Sequence, residues 1–327
     1  MAERMVTGDV TTHDREQEAQ LRPQNFSEFI GQKKVVENID LMVKSAIVRK
    51  AAMDHVLLSG PPGLGKTSLA MLIAKSLGSE LHLVSGPAIE KKGDLAAVLT
   101  NLKPRDVLFI DEIHRIHISV EEILYSAMED FRLDILIGQG ASARTMQIDL
   151  APFTLIGATT RSGLLSNPLR DRFMAHLNFE YYEPEMLAKI LINNAGKMGI
   201  ELSQESKMQI AQRSRGTPRI ANRILRRVRD FALVNNARVV GMNEVQAALG
   251  LLDIDDLGLD SMDRRILSVM KNYYQGGPVG IDALSATLGE DKQTIEEVYE
   301  PYLLKEGLLL RTPRGRALSD KALNHIK

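Results

Sequence analysis

The chain contains no cysteine. That excludes a disulfide framework, a thiolate metal centre and a cysteine nucleophile, and it agrees with a reducing compartment. It also has almost no net charge: 41 Lys and Arg stand against 42 Asp and Glu, a formal balance of -1. Any surface for a polyanion must therefore be a local patch. No apolar run approaches the roughly 18 residues that span a bilayer, so no membrane partner is expected. The first twenty residues, MAERMVTGDVTTHDREQEAQ, lack the apolar stretch of a secretory leader. Residues 1–20 are expected to form a flexible polar arm, and the protein to be cytoplasmic.

What remains is a composition suited to burial. The 327 residues are 44% hydrophobic and 25% charged, which predicts a packed protein of two or three domains. Short apolar runs recur at 56–58, 81–84, 107–110 and 153–156, separated by helical patterns. Uninterrupted apolar strands of this kind are buried on both faces, which predicts a parallel α/β sheet with crossover helices. The run from Leu133 to Ile137, a Gly138-Gln139-Gly140 turn and the run from Thr145 to Ile148 predict a β-hairpin instead. From Pro184 to about Gly250 the strand signal vanishes and helices take over. Asp253 to Asp256 reads as an acidic linker. Helices over 262–274, 281–288 and 291–305, followed by a strand pair around Thr312-Pro313-Arg314-Gly315, predict a winged helix.

Gly60-Pro-Pro-Gly63-Leu-Gly65-Lys66-Thr67 is a complete phosphate-loop motif between a strand and a helix. Its glycines let backbone N–H groups converge on phosphates, and the helix N-terminus adds partial positive charge. Lys66 supplies a full charge, the Thr67 hydroxyl can ligate Mg²⁺, and Ser68 follows in the first turn. A simple Gly/Pro turn is the bland alternative. Val107-Leu-Phe-Ile110 ends in Asp111 and Glu112, two adjacent carboxylates that would repel one another without a cation. Asp111 fits a Mg²⁺ ligand, largely through water, and Glu112 a base that polarises a water. A plain helix start would also place acids there. Another strand ends in Thr159-Thr160, where a hydroxyl can hold a water against a γ-phosphate or simply satisfy the strand end.

Three arginine groups remain. Pro168-Leu-Arg170-Asp-Arg172-Phe173 holds a candidate arginine finger or an ordinary surface Arg–Asp pairing. Arg219 stands near the start of a helix opened by Thr217 and Pro218, an unfavourable position against the helix dipole unless an anion is near. Between Lys305 and Lys327 six basic residues are opposed within that stretch by Glu306 and Asp320 alone. Arg311, Arg314 and Arg316 cluster at the Pro-Gly turn, a pattern for phosphate contact that ignores base sequence.

Taken together, GPPGLGKT, LFIDEIHR, YSAMEDF, PFTLIGATTRSGLL, PLRDRF, RSRGTPRIANR, GGPVG and RTPRGR resemble the RuvB family of AAA+ branch-migration ATPases over nearly the whole chain. The resemblance implies an AAA+ ATPase domain over 21–183, a small helical lid over 184–254 and a winged-helix DNA-binding head over 255–327. It implies ATP and Mg²⁺, hexameric rings around the duplex arms of a Holliday junction, RuvA as a partner through the hairpin 133–149, and RuvC in a larger complex. It further implies that Leu21, Arg22, Ile30 and Tyr182 line the adenine site, that Thr160 is the polar sensor, and that Arg172 is a finger acting on a neighbour. Arg219 would be the lid sensor, and Arg311 and Arg316 would touch DNA. One residue departs from the pattern: Met174 follows PLRDRF, where the family usually has glycine. Two rivals are an AAA+ switch without motor work and a winged-helix regulator carrying an ATPase module. Glu112, Thr160 and the arginines argue against the first, and the lack of a sensory domain against the second.

Overall fold

A computed structural model describes residues 20–137 and 144–326. They fall into two compact units, one running to Gly60 and resuming over Leu64–Glu180, the other made of Pro61–Gly63 and the chain from Tyr181 onward.

The first unit is built on five parallel strands: β1 (Val56–Ser59), β2 (Leu81–Ser85), β3 (Val107–Asp111), β6 (Thr154–Thr159) and β7 (Ala175–Asn178), in the order β2-β3-β6-β1-β7. The predicted α/β class is therefore observed. Strands β1, β3 and β6 are buried almost throughout, because they are interior and are packed on both faces. Strand β2 departs from the expectation of two buried faces: it lies at the sheet edge, and Leu83 is half exposed. The other edge, β7, was not expected, since Leu177 is its only buried residue. Helix α1 (Lys33–Arg49) buries Val35, Ile39, Val43 and Ala46, the stripe of an amphipathic helix. Helix α2 (Lys66–Leu77) stops at Gly78, which takes the left-handed conformation at φ 64°. Helices α3 (Lys92–Thr100), α4 (Ile118–Glu129) and α5 (Asn167–Asp171) follow. One core cluster joins Leu57, Leu108, Ile110, Leu124 and Phe153.

The hairpin forms as β4 (Arg132–Ile137) and β5 (Arg144–Asp149), registered from Arg132 opposite Asp149 to Ile137 opposite Arg144. The glycine-rich tip lies outside the described residues.

The second unit begins with α6 (Pro184–Lys197), α7 (Gln204–Gln212), α8 (Pro218–Val234) and α9 (Met242–Leu251). The strand signal does not vanish here entirely: β8 (Glu201–Leu202) pairs in parallel with β9 (Val239–Val240). Two residues are too few to carry a period. Next come α10 (Ser261–Tyr274) and α11 (Ile281–Leu288). The expected helix over 291–305 is broken into Lys292–Thr294, a π-turn at Ile295–Tyr299 and α12 (Glu300–Lys305). Pro301, which has no N–H to donate, accounts for the interruption. The wing, β10 (Leu309–Thr312) and β11 (Gly315–Leu318), pairs Leu309 with Leu318 and Arg311 with Arg316, and α13 (Asp320–His325) closes the chain. Leu259, Ile266, Leu267, Met270 and Leu303 form its core.

Asp253 to Asp256 is tied to its surroundings, although the side chains of Asp253 and Asp256 stay 64% and 92% exposed. Ile254 is buried, Arg213 pairs with Asp256 at 2.5 Å, and Arg264 pairs with Asp253 at 2.6 Å. Asp255 accepts the N–H of Leu257 at 2.9 Å and that of Leu259 at 2.8 Å, and His325 Nε2 stands 2.9 Å from its second oxygen. The acids look solvent-seeking in sequence because their partners are distant in the chain. Asp255→Ala should lower the denaturation midpoint of this unit by an amount equivalent to about 1–3 kcal/mol, the cost of leaving two inward amides unpaired; a denaturant melt followed by circular dichroism checks it.

Candidate active site

The phosphate loop starts where β1 ends. Gly60 has φ 132°, and its N–H donates to the Thr159 carbonyl at 3.1 Å. A Cβ at Gly60 would fall 2.5 Å from the Phe179 carbonyl oxygen, so only glycine fits this turn. Helix α2 is entered through Gly65 at φ 105° with no side-chain cap on its first amides. The Lys66 side chain is folded into the loop, its ammonium donating to the Gly60 carbonyl at 2.7 Å. Uncapped helix amides, glycine backbone and a buried ammonium make an anion receptor. Thr67 and Ser68 lie in the same first turn.

Strands β3 and β6 lie side by side in register, and so carry their C-terminal residues to the same edge as the loop. Asp111 ends β3. Glu112 follows in the left-handed region at φ 49°, an uncommon conformation for a residue with a side chain. Its own N–H donates to Asp111 Oδ1 at 3.1 Å. Thr160 Oγ1 donates to Glu112 Oε2 at 3.1 Å. The structure therefore brings Glu112 and Thr160 into direct contact, although 48 residues separate them.

One neighbour was not singled out in the sequence. His114 Nδ1 lies 3.2 Å from Glu112 Oε2 and 2.9 Å from Thr159 Oγ1, and its ring is almost wholly buried. Thr159 Oγ1 also accepts the Arg161 N–H at 2.9 Å. Glu112 is thus held by a hydroxyl and an imidazole, with 28% of its side chain open to solvent. Its position two residues past Glu112 in DEIHR was the available signal.

The remaining residues divide between the units. Leu21 is buried, Arg22 Nη1 rests 2.6 Å from Met71 Sδ, and Ile30 is half buried, all in the first unit. Tyr182 belongs to the second unit, where it is buried and its N–H donates to the Gly216 carbonyl at 2.9 Å. Arg219 is also in the second unit, with the loop tip Pro61–Gly63. Its N–H donates to the Gly63 carbonyl at 3.3 Å, and a Cβ on Gly63 would meet its Cβ at 3.0 Å. Arg172 sits at the end of α5. It donates to the Pro168 carbonyl at 2.7 Å, pairs with Glu129 at 3.0 Å, and lies 4.5 Å from the Tyr125 ring centre. Arg170 takes Asn167 Oδ1 at 3.0 Å. Met174 N–H donates to the His55 carbonyl at 3.0 Å and the residue is 77% exposed, so it is accommodated without burial.

The wing is less free than its sequence implies. Arg316 Nη2 reaches Glu296 at 2.8 Å and Glu300 at 3.0 Å, and its side chain is 14% exposed. Arg311 Nε pairs with the same Glu300 at 2.9 Å while staying 61% exposed. Burial alone would raise the Glu300 carboxyl, but hydrogen bonds from Arg311 and Arg316 outweigh it and hold the group below the usual carboxylate range. The excess of positive charge read from 305–327 is therefore partly cancelled by two acids from the preceding helical run. Arg314 is exposed at the turn with no ion pair among the described residues.

A phosphate loop, an acid pair and a polar strand end on a parallel sheet, followed by helices and a winged helix, define a P-loop ATPase of the AAA+ class. Three family descriptions match in succession: the Holliday junction DNA helicase RuvB P-loop domain over 21–179, the RuvB AAA lid domain over 182–255 and the RuvB C-terminal winged helix domain over 256–327. The Holliday junction branch migration complex subunit RuvB of Granulibacter bethesdensis is 53% identical over 324 residues, covering 99% of this chain and 90% of that protein. The Thermotoga maritima RuvB Holliday junction branch migration motor superimposes with a TM-score of 0.87 at 50% identity, over 94% of this chain and 98% of that one. A solved variant of that Thermotoga protein gives 0.88 at 49% identity, over the same shares of the two chains. The chain belongs to the RuvB family.

His114→Ala removes one polar contact from the Glu112 carboxylate. A hydrogen bond to a charged group contributes about 1.5–3 kcal/mol, so kcat for ATP hydrolysis should fall about ten- to a hundredfold with little change in KM. Steady-state ATPase kinetics check it.

Proposed function

We propose that this protein is an ATP-driven motor that moves the branch point of Holliday junctions during recombination and repair, acting as hexameric rings on duplex arms together with RuvA, with RuvC joining the larger complex. The observation that carries this reading is the contact between Glu112 and Thr160 beside the strand that feeds the phosphate loop. A switch without turnover has no use for a held carboxylate at that place. The division into a large ATPase domain over 21–183, a lid over 184–254 and a head over 255–327, preceded by an arm over 1–20, belongs to the same reading. So does RuvA docking by the hairpin 133–149.

The residues present fit Mg-ATP. The anion receptor around Gly63, Gly65, Lys66, Thr67 and Ser68 would hold the phosphates, and Leu21, Arg22, Ile30 and Tyr182 the adenine. Thr67 Oγ1 and Asp111 would hold Mg²⁺, whose role is to neutralise phosphate charge. Glu112 accepts the proton of the attacking water, and Thr160 and His114 keep its carboxylate turned toward that water. Arg172 supplies a guanidinium to the site of the neighbouring subunit, and Arg219 answers to the γ-phosphate through the loop tip. The wing tracks phosphates without reading bases. Arg314 is its leading contact, Arg311 is shared between Glu300 and DNA, and Arg316 mainly secures the wing.

Two expected outcomes test this. Glu112→Gln should retain ATP binding, lose about a hundredfold or more in kcat, and stop strand exchange on a synthetic four-way junction with RuvA present; Lys66→Ala should stop both by weakening nucleotide binding. Normal turnover in either variant overturns the mechanism, and turnover without any branch migration in the wild type overturns the motor. For the wing, Arg314→Ala should reduce the log–log salt slope of duplex binding by about 0.9 for each head engaged, equally for unrelated sequences. Arg316→Ala should chiefly lower the melting temperature of the head. An unchanged slope for Arg314→Ala removes the wing as the phosphate-tracking surface.

A further inference from the structure

The turn Arg213 to Pro218 joins α7 to α8 and is buried along most of its length: Arg213, Ser214, Arg215 and Thr217 are all 8% exposed or less. Two of its residues take positive φ, Arg215 at 55° and Gly216 at 70°. The turn makes contacts at both ends. At one end Arg219 donates its N–H to Gly63 in the phosphate loop. At the other, Arg215 points into the start of the winged helix. Its Nε donates to the Gly258 carbonyl at 2.9 Å. Its Nη2 pairs with Asp260 at 2.9 Å and, more closely still, with Asp263. Its Cζ lies 5.2 Å from the Tyr302 ring centre on α12, and the Tyr302 hydroxyl donates to the Leu257 carbonyl at 2.7 Å. Asp260 and Asp263 form the capping box of α10, so the guanidinium holds the helix by its first turn. Asp263 is fully buried, and its Oδ1 has no hydrogen-bond partner among the described residues. Gly216 sits under Lys305, whose ammonium lies 4.7 Å from the Tyr181 ring centre.

We propose that Arg215 is a positioning residue that passes the state of the Arg219 turn to the winged helix, so that a nucleotide-dependent shift of the lid reorients the DNA-binding head as one piece with it. The proposal rests on the reading given above, in which Arg219 answers to nucleotide and the head holds duplex DNA. Three residues of a conformationally restricted turn, Gly216, Thr217 and Pro218, separate the two arginines, so displacement at Arg219 has little slack to be lost in. A planar guanidinium engaged by three acceptors and stacked on an aromatic ring resists rotation as well as separation, which a lysine ammonium would not. A buried carboxylate facing it makes the pair costly to part and so keeps turn and helix together while the lid moves. Burial pushes the Asp263 carboxyl up to about 7 against the pull of Arg215. A neutral replacement pair removes both charges together, so that neither is left buried without the other.

The test uses full-length Arg215→Lys and the neutral pair Arg215→Gln with Asp263→Asn. Mg-ATP is the substrate and plain duplex DNA the probe. Hydrolysis without DNA and duplex affinity should stay close to wild type in both. The stimulation of kcat by duplex should fall by about fivefold or more, the size of an ordinary coupling between two sites. Stimulation unchanged in both variants overturns the proposal. So does a parallel fall of basal hydrolysis, duplex affinity and stimulation, which would mark Arg215 as a rivet for folding and nothing more. Arg219→Ala separates the premise from the proposal. Unchanged nucleotide affinity in that variant removes both together, whereas normal Arg219 behaviour with failed Arg215 variants removes the proposal alone.

Discussion

Insertion of β6 between β1 and β3 is the constraint on which the hydrolytic chemistry depends. The three strands are parallel, so their C-terminal ends share one edge of the sheet, and everything that follows each strand is delivered there. The phosphate loop follows β1, the acid pair follows β3 and Thr160 follows β6. A slip of the β3 and β6 pairing by one residue would exchange the faces of the β6 side chains and part Thr160 from Glu112. Burial on both faces is what forbids the slip, since Leu108, Ile110, Leu155 and Ile156 are all enclosed. The same edge shows where strain is stored. Glu112 occupies the left-handed region, and Gly60 a conformation closed to other residues by Phe179.

The sequence carried the chemistry of this edge well, because a phosphate loop and a strand-end acid pair are local patterns. The three central strands were equally legible, since apolar runs of that length have few other uses. Legibility failed wherever the partner lay far along the chain. His114 offered only its place in DEIHR, and what makes it part of the site is Thr159 on a different strand. Strand β7 carries one buried residue, Leu177, and is a strand because β1 offers it a free edge. Asp253 to Asp256 shows no partners in sequence, and the fold brings Arg213, Arg264 and His325 to it. The wing repeats the lesson with the sign reversed: its arginines looked uncompensated because Glu300 lies 11 residues before Arg311 and Glu296 lies 20 before Arg316.

Whether an arginine is available for work is decided by its partner's burial more than by its own ion pairing. Arg172 and Arg316 each have a carboxylate near 3.0 Å. Glu129, the partner of Arg172, is 57% exposed, whereas Glu300, the partner of Arg316, is 1% exposed. An exposed pair contributes about 0–1 kcal/mol, because water takes up either partner when they part. Parting a buried pair strands a charge and costs about 3–5 kcal/mol. A phosphate can therefore draw Arg172 away from Glu129 with little opposition, and the Tyr125 face and the Pro168 carbonyl, which donate no proton to it, keep the guanidinium oriented meanwhile. Parting Arg316 from Glu300 would cost several times more, because Glu300 is buried. Two arginines that sequence presents as equal candidates for an anion thus differ in what their release would cost, and the difference lies in the burial of the acid rather than of the base.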